Sequence, residues 1–212
     1  MTIHGPGPTL SRHPRRPQAG LPFLQGQTLA RGRVHEFCGP ARRMLALSAM
    51  AGCTGPVLWL RPGWLPERLC PAGILPFADP GRLIMVAAQR DDDLLWSCEE
   101  ALRAGAAALV IAELSTPPGL TPVRRLHLAA EAGSSAGTGV ILTPGDGGAR
   151  GVESRWHASP DHRPGASRWQ IALLRSRTSP PGRWAATAQH GQEDRRPALT
   201  LSPARDPAVA FD

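Results

Sequence analysis

The chain has 212 residues, 42% of them hydrophobic, and a formal net charge of +7, enough for one domain with a buried core and disordered ends. No apolar run approaches the ~18 residues of a membrane helix, and residues 1–20 lack the apolar stretch of a secretory signal; a cytoplasmic protein is expected. All 24 basic side chains are arginines, which excludes a phosphate-loop lysine and a Schiff-base lysine anywhere in the chain.

Charge is uneven along the sequence. Residues 1–33 carry five Arg and no acid, residues 34–149 sum to −2, and residues 150–212 sum to +4. A near-neutral middle is thus flanked by basic ends, which can contact nucleic acid weakly, meet acidic protein surfaces, or stand solvated without a partner. Cys38, Cys53, Cys70 and Cys98 form no CxxC pair, so they read as isolated thiols in a reducing compartment. His35 and Cys38 have a metal-compatible spacing, but no second ligand pair accompanies them, and no metal or other cofactor is expected.

In chain order, Arg33–Phe37, Val57–Leu60, Leu83–Ala87, Ala108–Ala112 and Gly139–Leu142 are short apolar runs bounded by turn residues. They predict parallel strands buried on both faces. A helix is predicted from Asp91 to Gly105, with Leu94, Leu95, Cys98, Ala101 and Leu102 on one stripe and Asp91–Asp93 at its positive end. Another opens at Thr121-Pro122, with Thr121 as cap, and closes at Gly133. Beyond Gly151, Arg155–Ala158, Arg168–Arg175 and Arg183–Ala188 predict an antiparallel addition to the sheet, joined by turns at His162–Gly165 and Ser179–Gly182. Ala198–Leu201 is a further short strand candidate. The expected division is a basic, disordered segment 1–22, a folded domain 23–188, and a mostly disordered tail 189–212.

The junction after the first strand is the informative place. Gly39-Pro40 leads directly into an apolar helix, where phosphate-binding proteins place a glycine-rich cradle, a lysine and a Ser/Thr. Met44, Leu45 and Ala46 stand there instead. Arg42 and Arg43 can hold a phosphate at the helix start or be solvated surface charges; the second reading is preferred.

The order Gly-Arg-Val-His-Glu…Gly-Pro-Ala-Arg-Arg (32–43), Gly-Pro-Val-Leu-Trp-Leu (55–60), Trp-Ser-Cys-Glu-Glu-Ala-Leu-Arg-Ala-Gly (96–105), Ala-Leu-Val-Ile-Ala-Glu-Leu (108–114), Arg-Arg-Leu-His-Leu-Ala-Ala-Glu (124–131) and Arg-Trp-Gln-Ile-Ala-Leu-Leu-Arg-Ser-Arg (168–177) resembles RecA-type proteins. It looks closest to the ImuA branch, damage-inducible mutagenesis accessory proteins, over about Gly32 to Ala188. The resemblance implies a RecA-like α/β core, mainly parallel, with helices on its faces and antiparallel strands on its C-terminal side.

It also implies what is replaced. The phosphate-loop lysine corresponds to Leu45, and Arg61-Pro62-Gly63 stands where a water-activating Glu belongs, with Glu67 too late. The Walker-B acid corresponds to Glu113, read here as a capping or loop-ordering carboxylate. The nucleotide-sensing Gln falls at Pro144 or Gly145. ATPase activity is therefore not expected. Arg175 and Arg177 match a basic pair that reaches a neighbouring subunit in RecA filaments; with Trp169 and Trp184 they are candidate partner contacts. For the arginines, protection of an edge strand is the plainer alternative; for the tryptophans it is packing between hairpin and sheet.

The function implied is a non-catalytic accessory role in SOS-induced, error-prone translesion DNA synthesis. The partners implied are an ImuB-type polymerase-like protein, RecA and the error-prone replicative-type polymerase assembly, with no membrane. A SulA-like cell-division inhibitor, binding the division tubulin, is the alternative.

Overall fold

In a computed structural model, residues 20–133, 137–188 and 199–203 are described. A nine-stranded sheet organises the chain. Its strands are β3 (Val34–Cys38), β4 (Val57–Pro62), β5 (Leu83–Ala88), β6 (Leu109–Glu113), β7 (Thr138–Leu142), β8 (Ser154–Pro160), β9 (Arg168–Ser176), β10 (Gly182–Ala188) and β11 (Leu199–Pro203). Their spatial order is β11-β10-β9-β8-β3-β7-β6-β4-β5. From β5 through β3 to β8 every pairing is parallel, and β8 to β11 pair antiparallel. The expected mixed sheet, parallel at its centre with an antiparallel C-terminal side, is what forms. Strands β3, β6 and β7 are buried along their whole length, which is why they read as unbroken apolar runs rather than alternating ones.

The helices are α1 (Arg42–Ala51), a single turn α2 (Pro71–Ile74), α3 (Asp91–Ala104) and α4 (Leu120–Ala132). One face of the sheet buries Phe37, Trp59, Leu109, Ile111 and Leu142 against α1. The opposite face buries Leu60, Val110 and Ile141 against Leu94, Cys98 and Leu102 of α3 and Val123 and Leu126 of α4. Each large side chain sealed in this way contributes about 1.5–3 kcal/mol. Gly105 ends α3 with φ +64, the left-handed closure for which glycine is suited.

Several local details differ from expectation. Helix α4 starts at Leu120 with Gly119 as its cap, and Thr121 lies inside the first turn with no capping bond. Val123 N–H donates to the Gly119 carbonyl, and Pro122 is tolerated because first-turn N–H groups lack intrahelical acceptors. At α3, Arg90 is the capping position and its side chain makes no cap. The Asp91 carboxylate accepts instead from the Ser115 N–H at 3.1 Å, tying α3 to the end of β6.

An unforeseen hairpin precedes β3. Strands β1 (Leu21–Leu24) and β2 (Gln27–Leu29) pair antiparallel around Gln25-Gly26, with Gly26 at φ +71. Leu21 and Leu29 are fully buried, so the folded region begins before the expected edge at residue 23. At the other end, β11 lies within the expected tail and pairs along β10 from Ala188↔Leu199 to Trp184↔Pro203. Strand β9 is consequently interior, flanked by β8 and β10, so its arginines do not guard a sheet edge.

Register divides the antiparallel strands into two unlike faces. Trp156, Trp169, Ile171, Leu173 and Ala186 join the core. On the other face Ser159, Gln170, Ala185 and Ser202 fall in one cross-strand row, and His157, Ala172 and Arg183 in the next. Helices α3 and α4 pack over the parallel half of the sheet, β3 to β7. Among the described residues no helix is long and apolar enough to cross a membrane.

Candidate functional site

Strand β3 ends at Cys38, and Gly39 then turns the chain into α1 with φ +86. A Cβ at Gly39 would lie 2.4 Å from the Ala158 carbonyl oxygen and 2.7 Å from Nε2 of His157, so β8 is pressed directly onto the turn. The backbone donors of this turn are used within the protein. Gly39 N–H donates to the Gly145 carbonyl at 2.8 Å and Ala41 N–H to the Ala158 carbonyl at 3.0 Å. Pro40 has no N–H, and Arg42 N–H folds back to the Gly39 carbonyl at 3.2 Å. The Arg42 guanidinium also donates to the Gly39 carbonyl. A phosphate cradle works by pointing such amides at an anion; here β8 and residue 145 take two of them.

Arg43 departs from the solvated reading. Its Nε lies 3.1 and 3.2 Å from the two carboxylate oxygens of Glu113, and its NH2 donates to Oε2 at 2.7 Å. Glu113, at the end of β6, is almost fully buried and also accepts from the Trp59 indole N–H at 2.7 Å. It is thus an internal tie between α1, β4 and β6 rather than a loop-ordering carboxylate. Charge-assisted, two-point contacts of this kind are the strong ones, and both oxygens already have donors. Met44 and Leu45 point into the core, Leu45 fully buried, so the position matching the lysine carries packing.

The remaining positions are also occupied by structural contacts. Arg61 is buried, and its NH2 donates to the carbonyls of Leu65 and Glu67, bracing the loop after β4; the Glu67 residue itself is exposed. Gly145 has φ +58 and supplies the carbonyl that receives Gly39 N–H.

A second buried acid lies beside this junction. Glu36, in the middle of β3, is fully buried. Its Oε1 accepts from Thr143 Oγ1 at 2.7 Å and from the N–H groups of Gly148 and Ala149 at 2.9 and 3.0 Å. Its Oε2 accepts from Arg155 of β8. Glu36 therefore shapes loop 143–149, whose Gly147, at φ +77, has no room for a Cβ beside the carboxylate. A lone acid inside the apolar run Val34–Cys38 was the signal that could have found it.

His35 and Cys38 do not converge. His35 Nε2 donates to the Ala30 carbonyl at 3.0 Å, leaving Nδ1 to accept from Ser154 Oγ at 2.7 Å. Burial pushes its pKa down to about 4. Cys38 Sγ lies 3.4 Å from the Trp156 carbonyl, and burial, then the Glu36 charge, pushes its thiol up to about 12. Among the described residues no group of three or more His, Cys, Asp or Glu is placed to hold a metal.

Of the four candidate partner contacts, Trp169 is buried and edge-on to His162, and Trp184 is half-buried against Trp156 at 5.7 Å between centroids. Both pack. Arg177 donates to the Gly151 carbonyl at 3.1 Å, while Arg175 is exposed. Of the two basic ends, 1–33 and 150–212, residues 1–19, 189–198 and 204–212 lie outside the described residues.

No family model matches the chain. It is similar to the protein ImuA of Caulobacter vibrioides, in strains NA1000 / CB15N and ATCC 19089 / CB 15, with 30% identity in each case. The alignment covers 92% of this chain and 87% of the relative. That coverage carries the likeness through the junction, the parallel strands and the antiparallel addition alike, and the chain belongs to the ImuA family.

Proposed function

We propose that this protein is a non-catalytic, RecA-like accessory factor of damage-induced mutagenesis, acting in error-prone translesion synthesis by binding other proteins. The observation that carries the reading is the Arg43–Glu113 pair. A Walker-B acid serves an NTPase by reaching the metal that bridges the nucleotide phosphates. Glu113 is instead neutralised by a guanidinium from the very helix that follows the degenerate phosphate turn. The spent amides of Gly39 and Ala41 and the buried Leu45 support the same conclusion.

Without a nucleotide switch, the sheet and its flanking helices still present a fixed surface. The partners proposed are an ImuB-type polymerase-like protein and RecA, in the setting of an error-prone polymerase assembly, with a cytoplasmic location. Two measurements test this. Purified protein is expected to show neither ATP binding by a fluorescent analogue nor turnover, and turnover lost on Glu113→Ala overturns the non-catalytic part. Deletion of the gene is expected to lower ultraviolet-induced mutation frequency, with restoration by a complementing copy. Unchanged mutagenesis, with filamentation on overexpression, overturns the accessory role in favour of division inhibition.

A further inference from the structure

The outward face of strands β8 to β11 has a composition unlike the rest of the surface. Asp161, just past the end of β8, is the one acid beside its cross-strand rows among the described residues, while Arg168, Arg175 and Arg183 all stand on it. Arg175 and Arg183 are exposed and make no ion pair among the described residues. Arg168 shares only a 3.5 Å contact with Asp161 at the rim, and its Nε has no hydrogen-bond partner. A recess of about 620 Å³ opens here, lined by Asp161, Arg163, Arg168, Gln170 and Ser202 among others, with the Gln170 amide donating to Asp161 at 2.9 Å. Between the arginines the side chains are small: Ser159, Ala172, Ala185 and Thr187.

We propose that this face binds single-stranded nucleic acid through its phosphodiester backbone. Successive rows lie about 6.7 Å apart along the strands and neighbouring strands about 4.8 Å apart, so the four rows and four strands cover about 20 by 14 Å. That is a surface along which a flexible strand can lie, with guanidiniums spread from one end to the other rather than clustered. A sheet face offers no helix or ribbon to enter a duplex groove.

An acidic protein partner fits less well. Protein interfaces take most of their affinity from a few large apolar or aromatic anchors, and this face offers only Leu174, 39% exposed beside Arg175, since Trp156, Trp169 and Trp184 all turn to the opposite side. Backbone neutralisation with release of counterions needs no anchor. The one aromatic ring in the rows, the half-buried His157 imidazole, adds little stacking, so binding is indifferent to base sequence.

The test uses the full chain and a fluorescently labelled oligothymidylate, with anisotropy read across a salt series. Arg175→Glu/Arg183→Glu is expected to weaken binding at least tenfold and to make the slope of log K against log salt shallower by about 2. Both residues are exposed, and an unchanged far-ultraviolet circular dichroism spectrum and melting temperature verify the fold. Arg12→Glu/Arg15→Glu, which alters net charge equally at the N-terminal end, is expected to weaken binding less. An equal or larger loss in that variant overturns the proposal in favour of the tail. Displacement of the oligonucleotide by polyglutamate at the concentration at which unlabelled oligothymidylate displaces it overturns it in favour of an acidic protein. The assay holds no partner protein, so its failure is separable from failure of the accessory role.

Discussion

Arg43 and Glu113, 70 positions apart in sequence, meet through a two-point contact whose shortest bond is 2.7 Å. The carboxylate is nearly buried and the guanidinium one-third exposed, so the pair sits where the helix start closes over the end of β6.

Removing one partner alone is expected to cost more than removing both. Arg43→Met leaves Glu113 charged and enclosed with only the Trp59 indole, at a cost of about 2 kcal/mol, or roughly 6 °C in melting temperature for a domain of this size. Adding Glu113→Gln to Arg43→Met is expected to recover part of that loss. Denaturant unfolding of the two single variants and the double variant checks this, and strictly additive losses would contradict the coupling.

Stability is expected to fall on mild acidification. His35 is held neutral by burial with a pKa near 4, whereas the unfolded chain protonates it near 6.5. Between those values the unfolded state binds more protons, so unfolding free energy rises with pH through this window. The contribution is fully present above about pH 6.5 and lost as pH falls towards 4, amounting to about 3 kcal/mol. His127 is shifted in the same direction by burial and adds to the effect. Urea titrations at pH 7.5, 6 and 5 read the slope, and a His35→Asn variant is expected to flatten it.

Thiol chemistry should separate the four cysteines. Cys70 is exposed, whereas Cys38, Cys53 and Cys98 are buried. Burial raises the Cys38 and Cys98 thiols to about 12, suppressing the reactive thiolate. Titration with an aromatic disulfide reagent is expected to label one thiol rapidly in the native state and four after unfolding, the fast one disappearing in Cys70→Ser.

Gly39→Ala is expected to destabilise by about 3 kcal/mol, since the left-handed turn and the Ala158 carbonyl both oppose a Cβ. Gly26→Ala has the same sign of φ but open space around it, and is expected to cost about 1 kcal/mol. Thermal melts of the two variants separate backbone conformation from steric contact.

The parallel strands were legible because burial on both faces leaves uninterrupted apolar runs such as Leu109–Ala112, and Gly105 marked the end of α3 plainly. The β1–β2 hairpin was not, because Leu21-Pro22-Phe23-Leu24 is short, contains a proline and adjoins a polar segment. Its stability comes from docking Phe23 against Phe37 and Trp156, a long-range contact that local pattern does not carry. That Leu45, and no lysine, follows the turn after β3 is plain from the sequence. Where Arg43 would reach is not, since its partner Glu113 lies three strands later in the chain. Glu36 was hidden for the same reason: its four donors come from Thr143, the loop after it and Arg155.

The first and last described strands of the chain also meet. Leu201 of β11 donates its N–H to Gln25 Oε1, in the turn between β1 and β2, across 176 positions of sequence. During synthesis, the hairpin turn emerges 176 positions ahead of the strand it meets. Until then β10 is a bare edge, with Trp184 and Ala186 paired to β9 but lacking Pro203 and Leu201 on the other side. A chain cut before Leu199 would therefore expose β10 as an open edge, ready to pair with a strand of another molecule.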